Sequence, residues 1–225
     1  MKTYNEVKLA QELIRFPTTK TEDKGIMKFL SRRLSAIGFK CTIIKSKGTG
    51  PKPALNLYAR FGKSKPHINF LGHTDVVANL NNWKISPFKA VVKNGYLNGR
   101  GSQDMKGGIA CWIGAVSNFI KNNKFKGSIS IIITADEETT GLGAPAIMKY
   151  LRRKGEKIDF SIVGEPSSNK SVGDEIRIGR RGSMNGIITK QYRFAAPGSF
   201  DGNVPGTTTL PAGISPDVIS PVILL

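Results

Sequence analysis

Histidine and cysteine are both scarce in this chain of 225 residues, which holds two of each. Cys41 and Cys111 make no metal-type spacing, so they read as buried, reduced thiols of a cytoplasmic protein. The histidines, His67 and His73, precede every other polar cluster singled out below, so nothing downstream supplies an imidazole. Acidic residues are also few, 16 against 34 Lys and Arg, which leaves a formal charge of +18. An excess of that size attracts anions, nucleic acid among them. Yet the lysines are spread from Lys2 to Lys190 rather than interleaved with aromatics, and no nucleic-acid module is recognisable. The expectation is a solvated lysine-rich surface that steers an anionic substrate modestly, with no nucleic-acid partner. No apolar run nears the length of a membrane span and no charged-then-apolar leader is present, so neither insertion nor export is expected. There is no internal repeat, and Gly62-Lys63-Ser64 lacks the upstream glycine of a phosphate loop.

What is there is an alternation of helical and extended patterns. Helix-like spacing covers Tyr4 to Phe16 and Glu22 to Ile37, with Gly38 as a stop signal. Strands are predicted at Lys40–Lys45, Leu55–Phe61, Pro66–Leu71, Ser128–Thr134 and Phe160–Val163, and further helices at Lys106–Asn122 and about Ala144–Lys154. The Phe88–Tyr96 region, with Asn94-Gly95 at its turn, reads as a hairpin. The alternation indicates an α/β sheet with helices on both faces.

Four polar clusters sit where these runs end or a helix begins. They are Gly72-His73-Thr74-Asp75, Gly101-Ser102-Gln103-Asp104-Met105-Lys106-Gly107-Gly108, Asp136-Glu137-Glu138 and Gly164-Glu165-Pro166. Strands that end this way deliver their polar residues to the carboxyl edge of a sheet, where ligands of open α/β folds bind. His73 with Asp75 two residues on reads as a metal ligand and the carboxylate that orients it. Asp104, in a glycine-rich loop above a helix, has two oxygens with which to bridge two cations. Adjacent Glu137 and Glu138 repel each other unless a positive charge sits beside them. A metal supplies that charge, with one glutamate as ligand and the other as general base.

Each cluster alone has a plainer reading. A single histidine after a strand is commonly a satisfied one, and Asp104 serves equally as a helix N-cap. Asp136-Glu137-Glu138 suits a solvated loop entering a helix, and Pro166 suits a strand end. The conjunction of all four in one α/β pattern favours a metal-hydrolase site.

Phe70-Leu71-Gly72-His73-Thr74-Asp75-Val76-Val77, Asn98 to Gly108, Thr134-Ala135-Asp136-Glu137-Glu138 and Val163-Gly164-Glu165-Pro166-Ser167 resemble the ordered motifs of the M20 metallopeptidase family. Ile178-Gly179-Arg180-Arg181-Gly182-Ser183 is similar to the desuccinylase branch of that family, and the likeness runs from about Tyr4 to about Thr189. The resemblance implies a catalytic domain with a mixed, mostly parallel sheet flanked by helices. It implies two zinc ions, with cobalt as a possible substitute. His73 and Glu165 would hold one, Glu138 the other, and Asp104 would bridge them. Glu137 would be the general base, and Asp75 would orient His73. Arg180 or Arg181 would pair with a carboxylate of a small anionic acylated amino acid, although a surface arginine pair is an equal alternative. The implied reaction converts N-succinyl-L,L-diaminopimelate and water to succinate and L,L-diaminopimelate, in lysine and diaminopimelate biosynthesis. Other deacylases of the family, such as an acetylornithine deacetylase or an aminoacylase, are the alternative enzymes. A non-catalytic basic binding protein with a degenerate metal site is the alternative from another class.

From Gln191 to Leu225 the character changes: lysine disappears, prolines recur and no period survives. The family would continue with a lid that mediates homodimerisation and with two further histidines, whereas this sequence has Tyr192-Arg193-Phe194-Ala195-Ala196-Pro197. The expected organisation is therefore residues 1–178 as the N-terminal part of an incomplete catalytic domain, 179–190 as the start of a lid, and 191–225 as an aberrant, irregular tail. A frameshift or truncation would produce such a chain, and weak or absent activity is expected of it.

Overall fold

A computed structural model describes residues 2–78 and 81–179. Arg180, Arg181, the expected lid segment from Arg180 on and the tail from Gln191 lie outside the described residues. The chain divides into two compact units, one up to Ser168 and a second beginning at Asn169. Of the second, residues 169–179 are described. There the Asp174 carboxylate accepts the backbone N–H groups of Asn169, Lys170 and Ser171 at 2.9, 2.7 and 2.9 Å, which close a turn.

The first unit is built on the helices α1 (Glu6–Ile14), α2 (Ile26–Ser35), α3 (Lys106–Asn122) and α4 (Gly143–Arg153). Its strands are β1 (Lys40–Ser46), β2 (Ala54–Gly62), β3 (His67–His73), β4 (Val91–Lys93), β5 (Tyr96–Asn98), β6 (Ser128–Thr134) and β7 (Phe160–Val163). Five strands form one sheet in the order β1-β2-β6-β3-β7. β6 and β7 run parallel to β3 on its two sides, while β2 is antiparallel to both β1 and β6. Four of the five strands thus point the same way, and the sheet is mixed and mostly parallel, as the family resemblance implied.

Burial explains which residues form which layer. β6 is buried at every position, since it lies between β2 and β3 with both faces covered, hence its unbroken Ile129-Ser130-Ile131-Ile132-Ile133 run. Ile129, Ile131 and Ile133 join Leu57, Ala59 and Phe70 in a core under α1, α2 and α3, whereas Ile132 joins Tyr58 under Ile147 and Leu151 of α4. That alternation puts helices on both faces. On α3, Ile109, Ile113 and Ile120 face the core, and Gly114 faces the start of α1, where a Cβ would make ordinary contact with Glu6 Cβ at 3.4 Å.

Several boundaries differ from the sequence expectation for local reasons. α2 starts at Ile26 rather than Glu22 because Lys24 and Gly25 take positive φ (47° and 90°) and the Asp23 carboxylate accepts the N–H groups of Gly25 and Met27. The β4–β5 hairpin does turn at Asn94-Gly95, both with positive φ (53° and 80°) as a tight hairpin turn requires, but its strands are short. The expectation of two buried thiols is corrected: Cys41 is half-buried on β1 and Cys111 is exposed on α3, where it falls among residues that turn away from the sheet. None of the described helices is long and apolar enough to cross a membrane.

The topology also gathers lysines that look scattered in sequence. Connections 63–66, 123–127 and 154–159 precede the parallel strands β3, β6 and β7, and carry exposed Lys63, Lys65, Lys124, Lys126, Lys154 and Lys157. They lie at the edge where Asp159 N donates to His67 O and Ser128 N donates to Pro66 O, the edge opposite His73. These six charges do not ring the polar clusters, so the expected steering does not come from them.

Candidate metal centre

Three parallel strand ends converge at the carboxyl edge of the sheet. β3 ends on His73, in register with Thr134 at the end of β6, and Thr74 N donates to Thr134 O at 2.9 Å. β7 ends beside β3, and Gly164 N continues the ladder to Leu71 O at 2.9 Å. His73, Glu137-Glu138 and Glu165 follow from those three ends. Asp104 enters from the loop before α3, which turns at Gly101 with φ of 84°. The fully buried Met105 seats that loop: a Cβ on Gly72 would lie 2.7 Å, and one on Gly164 2.8 Å, from Met105 Cε. The glycines of Gly72-His73 and Gly164-Glu165 thus make the notch that brings α3 close to both strands.

The side chains meet around His73, which is 1% exposed. Its Nε2 faces Asp104 Oδ1 at 3.0 Å, Glu165 Oε1 at 3.5 Å and Glu137 Oε2 at 3.9 Å. Its Nδ1 donates to the Asp75 carbonyl at 3.0 Å and lies 3.5 Å from Asp75 Oδ1. With Nδ1 committed to Asp75, it is Nε2 that faces the carboxylate cluster, and exchange of its proton for a metal would leave the tautomer that a ligating imidazole needs. Asp75 does a second job. Its buried carboxylate accepts Glu137 N at 3.1 Å and Glu138 N at 2.9 Å, so one residue holds both the imidazole and the glutamate loop. His73, Asp104 and Glu138 form one group of potential ligand atoms within 4.8 Å of one another, and His73, Glu137 and Glu165 form another.

The electrostatics suit a cation. Burial alone would lower the pKa of His73, but the hydrogen bond and charge of Asp75, with Glu137 and Glu165, outweigh it and hold the imidazole at about 9. Burial and the charge of Asp104 push the Glu138 carboxyl above its ordinary range. A neutral imidazole and convergent carboxylate oxygens are the ligand types zinc takes, and crowding of like charges is what a divalent ion relieves. The donor set fits. Asp104 and Glu137 are the exposed members, with side chains 48% and 52% accessible, so the cluster opens to solvent on their side.

All six described candidates, His73, Asp75, Asp104, Glu137, Glu138 and Glu165, come together at this edge. His67 does not: it is buried at the start of β3, with Nδ1 bonded to Lys157 O and Nε2 to Ser130 Oγ, both at 2.8 Å. The sequence reading missed three supporting residues. Asp136, grouped with the glutamates, turns away and holds the loop into α4, accepting Leu142 N at 2.9 Å, Gly143 N at 3.0 Å and the Thr140 hydroxyl. Only its place two alternating steps beyond buried Ile132 pointed to that face. Thr18 and Lys106 tie neighbouring loops to the site, and no local sequence signal marks them.

Residues 70–215 match the model of peptidase family M20/M25/M40. A succinyl-diaminopimelate desuccinylase of Pelagibacter ubique (strain HTCC1062) is 49% identical over 193 residues, covering 84% of this chain and 50% of the relative. One from Ehrlichia chaffeensis (strain ATCC CRL-10679 / Arkansas) is 46% identical over 181 residues, 79% of this chain and 47% of the relative. The chain spans about half the length of the curated relatives it matches. Human carnosine dipeptidase 1 shares the fold with a TM-score of 0.63 at 20% identity, over 70% of this chain and 38% of that structure.

Proposed function

Because the chain belongs to peptidase family M20/M25/M40, a family of metal-dependent amide hydrolases, we propose that it contributes the metal centre of an enzyme that hydrolyses N-succinyl-L,L-diaminopimelate to succinate and L,L-diaminopimelate. The observation that carries this reading is His73 Nε2 facing Asp104, Glu165 and Glu137 while Asp75 holds Nδ1. The names of the relatives at 46–49% identity support the substrate. The intact protein is then a cytoplasmic enzyme of lysine and diaminopimelate biosynthesis, working as a homodimer.

In this reading His73, Asp104, Glu138 and Glu165 are the residues that would hold zinc, with His73 and Glu165 serving one ion, Glu138 a second and Asp104 shared between them, and cobalt would be able to substitute. Zinc held there would supply Lewis acidity, making water a nucleophile near neutral pH. Asp75 keeps His73 in the ligating tautomer and holds Glu137 and Glu138 by their backbone. Glu137, largely exposed, is free to act as the base. Its Oε2 takes a proton from the water whose oxygen bonds to the succinyl carbonyl carbon. As the C–N bond breaks, Glu137 passes that proton to the departing amine nitrogen. Arg180 or Arg181 pairs with a substrate carboxylate.

For the 225-residue polypeptide by itself we expect weak turnover. Among the described residues His73 is the histidine of the site, and His67 is committed at the opposite edge. The test is release of diaminopimelate from the succinylated substrate by the purified chain with added zinc, with Glu137→Ala as the blank. A parallel panel of acetylated amino acids separates this substrate from those of other deacylases. Preference for an acetylated substrate, or release undiminished in Glu137→Ala, contradicts the reading.

A further inference from the structure

Lys106 opens α3 and is fully buried. The position is doubly unfavourable, because burial strips an ammonium of water and a cation at a helix N-terminus opposes the helix dipole. Burial pulls its pKa down to about 7, with the charge of Asp75 opposing that shift. A side chain kept against two local preferences points to a role beyond packing.

Its hydrogen bonds show what it reaches. Lys106 Nζ donates to the Phe16 carbonyl at 2.7 Å. Phe16 begins a strap that lies along the segment after β3. Thr18 Oγ1 donates to Thr74 O at 2.6 Å, Val76 N donates to Thr18 O at 3.0 Å, and Thr19 bridges Val76. His73 directly precedes the gripped segment, Asp75 lies within it, and Asp104 precedes Lys106 by two residues. A continuous path of bonds therefore joins the two loops that carry His73 and Asp104, and no ligand candidate takes part in it. The stem of Lys106 passes close to Gly101, where a Cβ would lie 3.2 Å from Lys106 Cδ.

We propose that Lys106 is a positioning residue of the metal centre: by tethering the Phe16–Thr19 strap it fixes the placement of Asp104 relative to His73 and so completes the ligand set. An amine donates to Phe16 O with or without its extra proton, so the tether does not depend on protonation. The inference rests on the metal-centre reading above.

The experiment is a competition titration of Zn²⁺ against a chromophoric chelator on the full chain, with Co²⁺ absorption spectra and metal-free melting curves alongside. Lys106→Met removes the donor, and Thr18→Val breaks the strap while leaving Lys106 in place. Outer-shell partners bonded directly to a ligand are worth about 10–100-fold in metal affinity, and Lys106 and Thr18 act one bond further out. Each folded variant should therefore bind zinc more weakly by about tenfold, the lower end of that range, and give an altered cobalt spectrum. Removing a buried charge offsets the lost hydrogen bond, so the metal-free melting temperature of Lys106→Met should stay close to that of wild type. Wild-type zinc affinity in either folded variant overturns the proposal, including the case where stability falls and affinity does not. Should Lys106→Met fail to fold, Thr18→Val alone decides. Absence of zinc binding by the wild type is a different outcome and sinks the metal-centre reading itself.

Discussion

The Asp75 carboxylate stands 3.5 Å from His73 Nδ1 and at the same time accepts the N–H groups of Glu137 and Glu138 at 3.1 and 2.9 Å. One buried side chain thus couples the imidazole at the end of β3 to the glutamate loop at the end of β6. Asp75→Ala should release both. Two part-buried N–H groups that lose a carboxylate acceptor cost about 1–3 kcal/mol, and a ligating histidine without its partner loses about 10–100-fold in metal affinity. Urea unfolding and zinc titration of the same variant measure the two effects. A loss of stability with zinc binding intact would show that Asp75 only closes the loop.

Zinc binding should weaken as pH falls. In the metal-free chain His73 keeps its proton until about pH 9, against 6.5 for a free imidazole. A cation must displace that proton, so about one proton is released from His73 per zinc at pH 7 and affinity rises about tenfold per pH unit over this range. The sign for the metal-free protein is opposite. A raised histidine pKa contributes stability that is full below 6.5 and is lost as pH rises through about 9. Calorimetry in buffers of different ionisation enthalpy counts the protons. Affinity independent of pH between 6 and 9 would contradict the His73 assignment.

Gly164→Ala should disturb Glu165 without touching a ligand. A Cβ there would collide with the Phe70 ring and lie 2.8 Å from Met105 Cε, so the Phe70 ring and Met105 must give way or the segment after β7 must shift. Overpacking of this kind costs about 1–3 kcal/mol. Shrinking the obstacle in Gly164→Ala/Phe70→Leu should recover part of both stability and zinc affinity. A single variant as stable as wild type would mean that the notch is looser than the contacts indicate.

Much of this arrangement was legible because its signals are local. The unbroken apolar run of β6, the hydrophobic spacing of α3 and the Asn94-Gly95 turn each encode their own geometry, and the structure has α3, β6 and β7 with the expected ends. The candidate site was legible because strand ends are where α/β sheets present polar residues, and the four clusters fall at those ends or at the start of α3. Lys106, Thr18 and the structural turn of Asp136 were not legible, because each acts on a partner distant in sequence or through its direction alone. Lys106 bonds to Phe16 and Thr18 to Thr74, contacts set by how α1 and α3 pack rather than by any spacing along the chain. The exposure of Cys111 was missed for a similar reason: adjacent to buried Ala110 on the same helix, only the phase of α3 against the sheet decides its side.

X-ray absorption at the zinc edge, on the zinc-loaded chain and on His73→Ala, reads out whether His73 and its carboxylates form a zinc centre. Wild type should retain zinc through dialysis, with one imidazole nitrogen and otherwise oxygen neighbours at about 2.0–2.2 Å. His73→Ala should lose the imidazole signal and most of the bound metal. A wild type that retains no zinc, or a His73→Ala variant that holds zinc with an unchanged spectrum, would contradict such a centre.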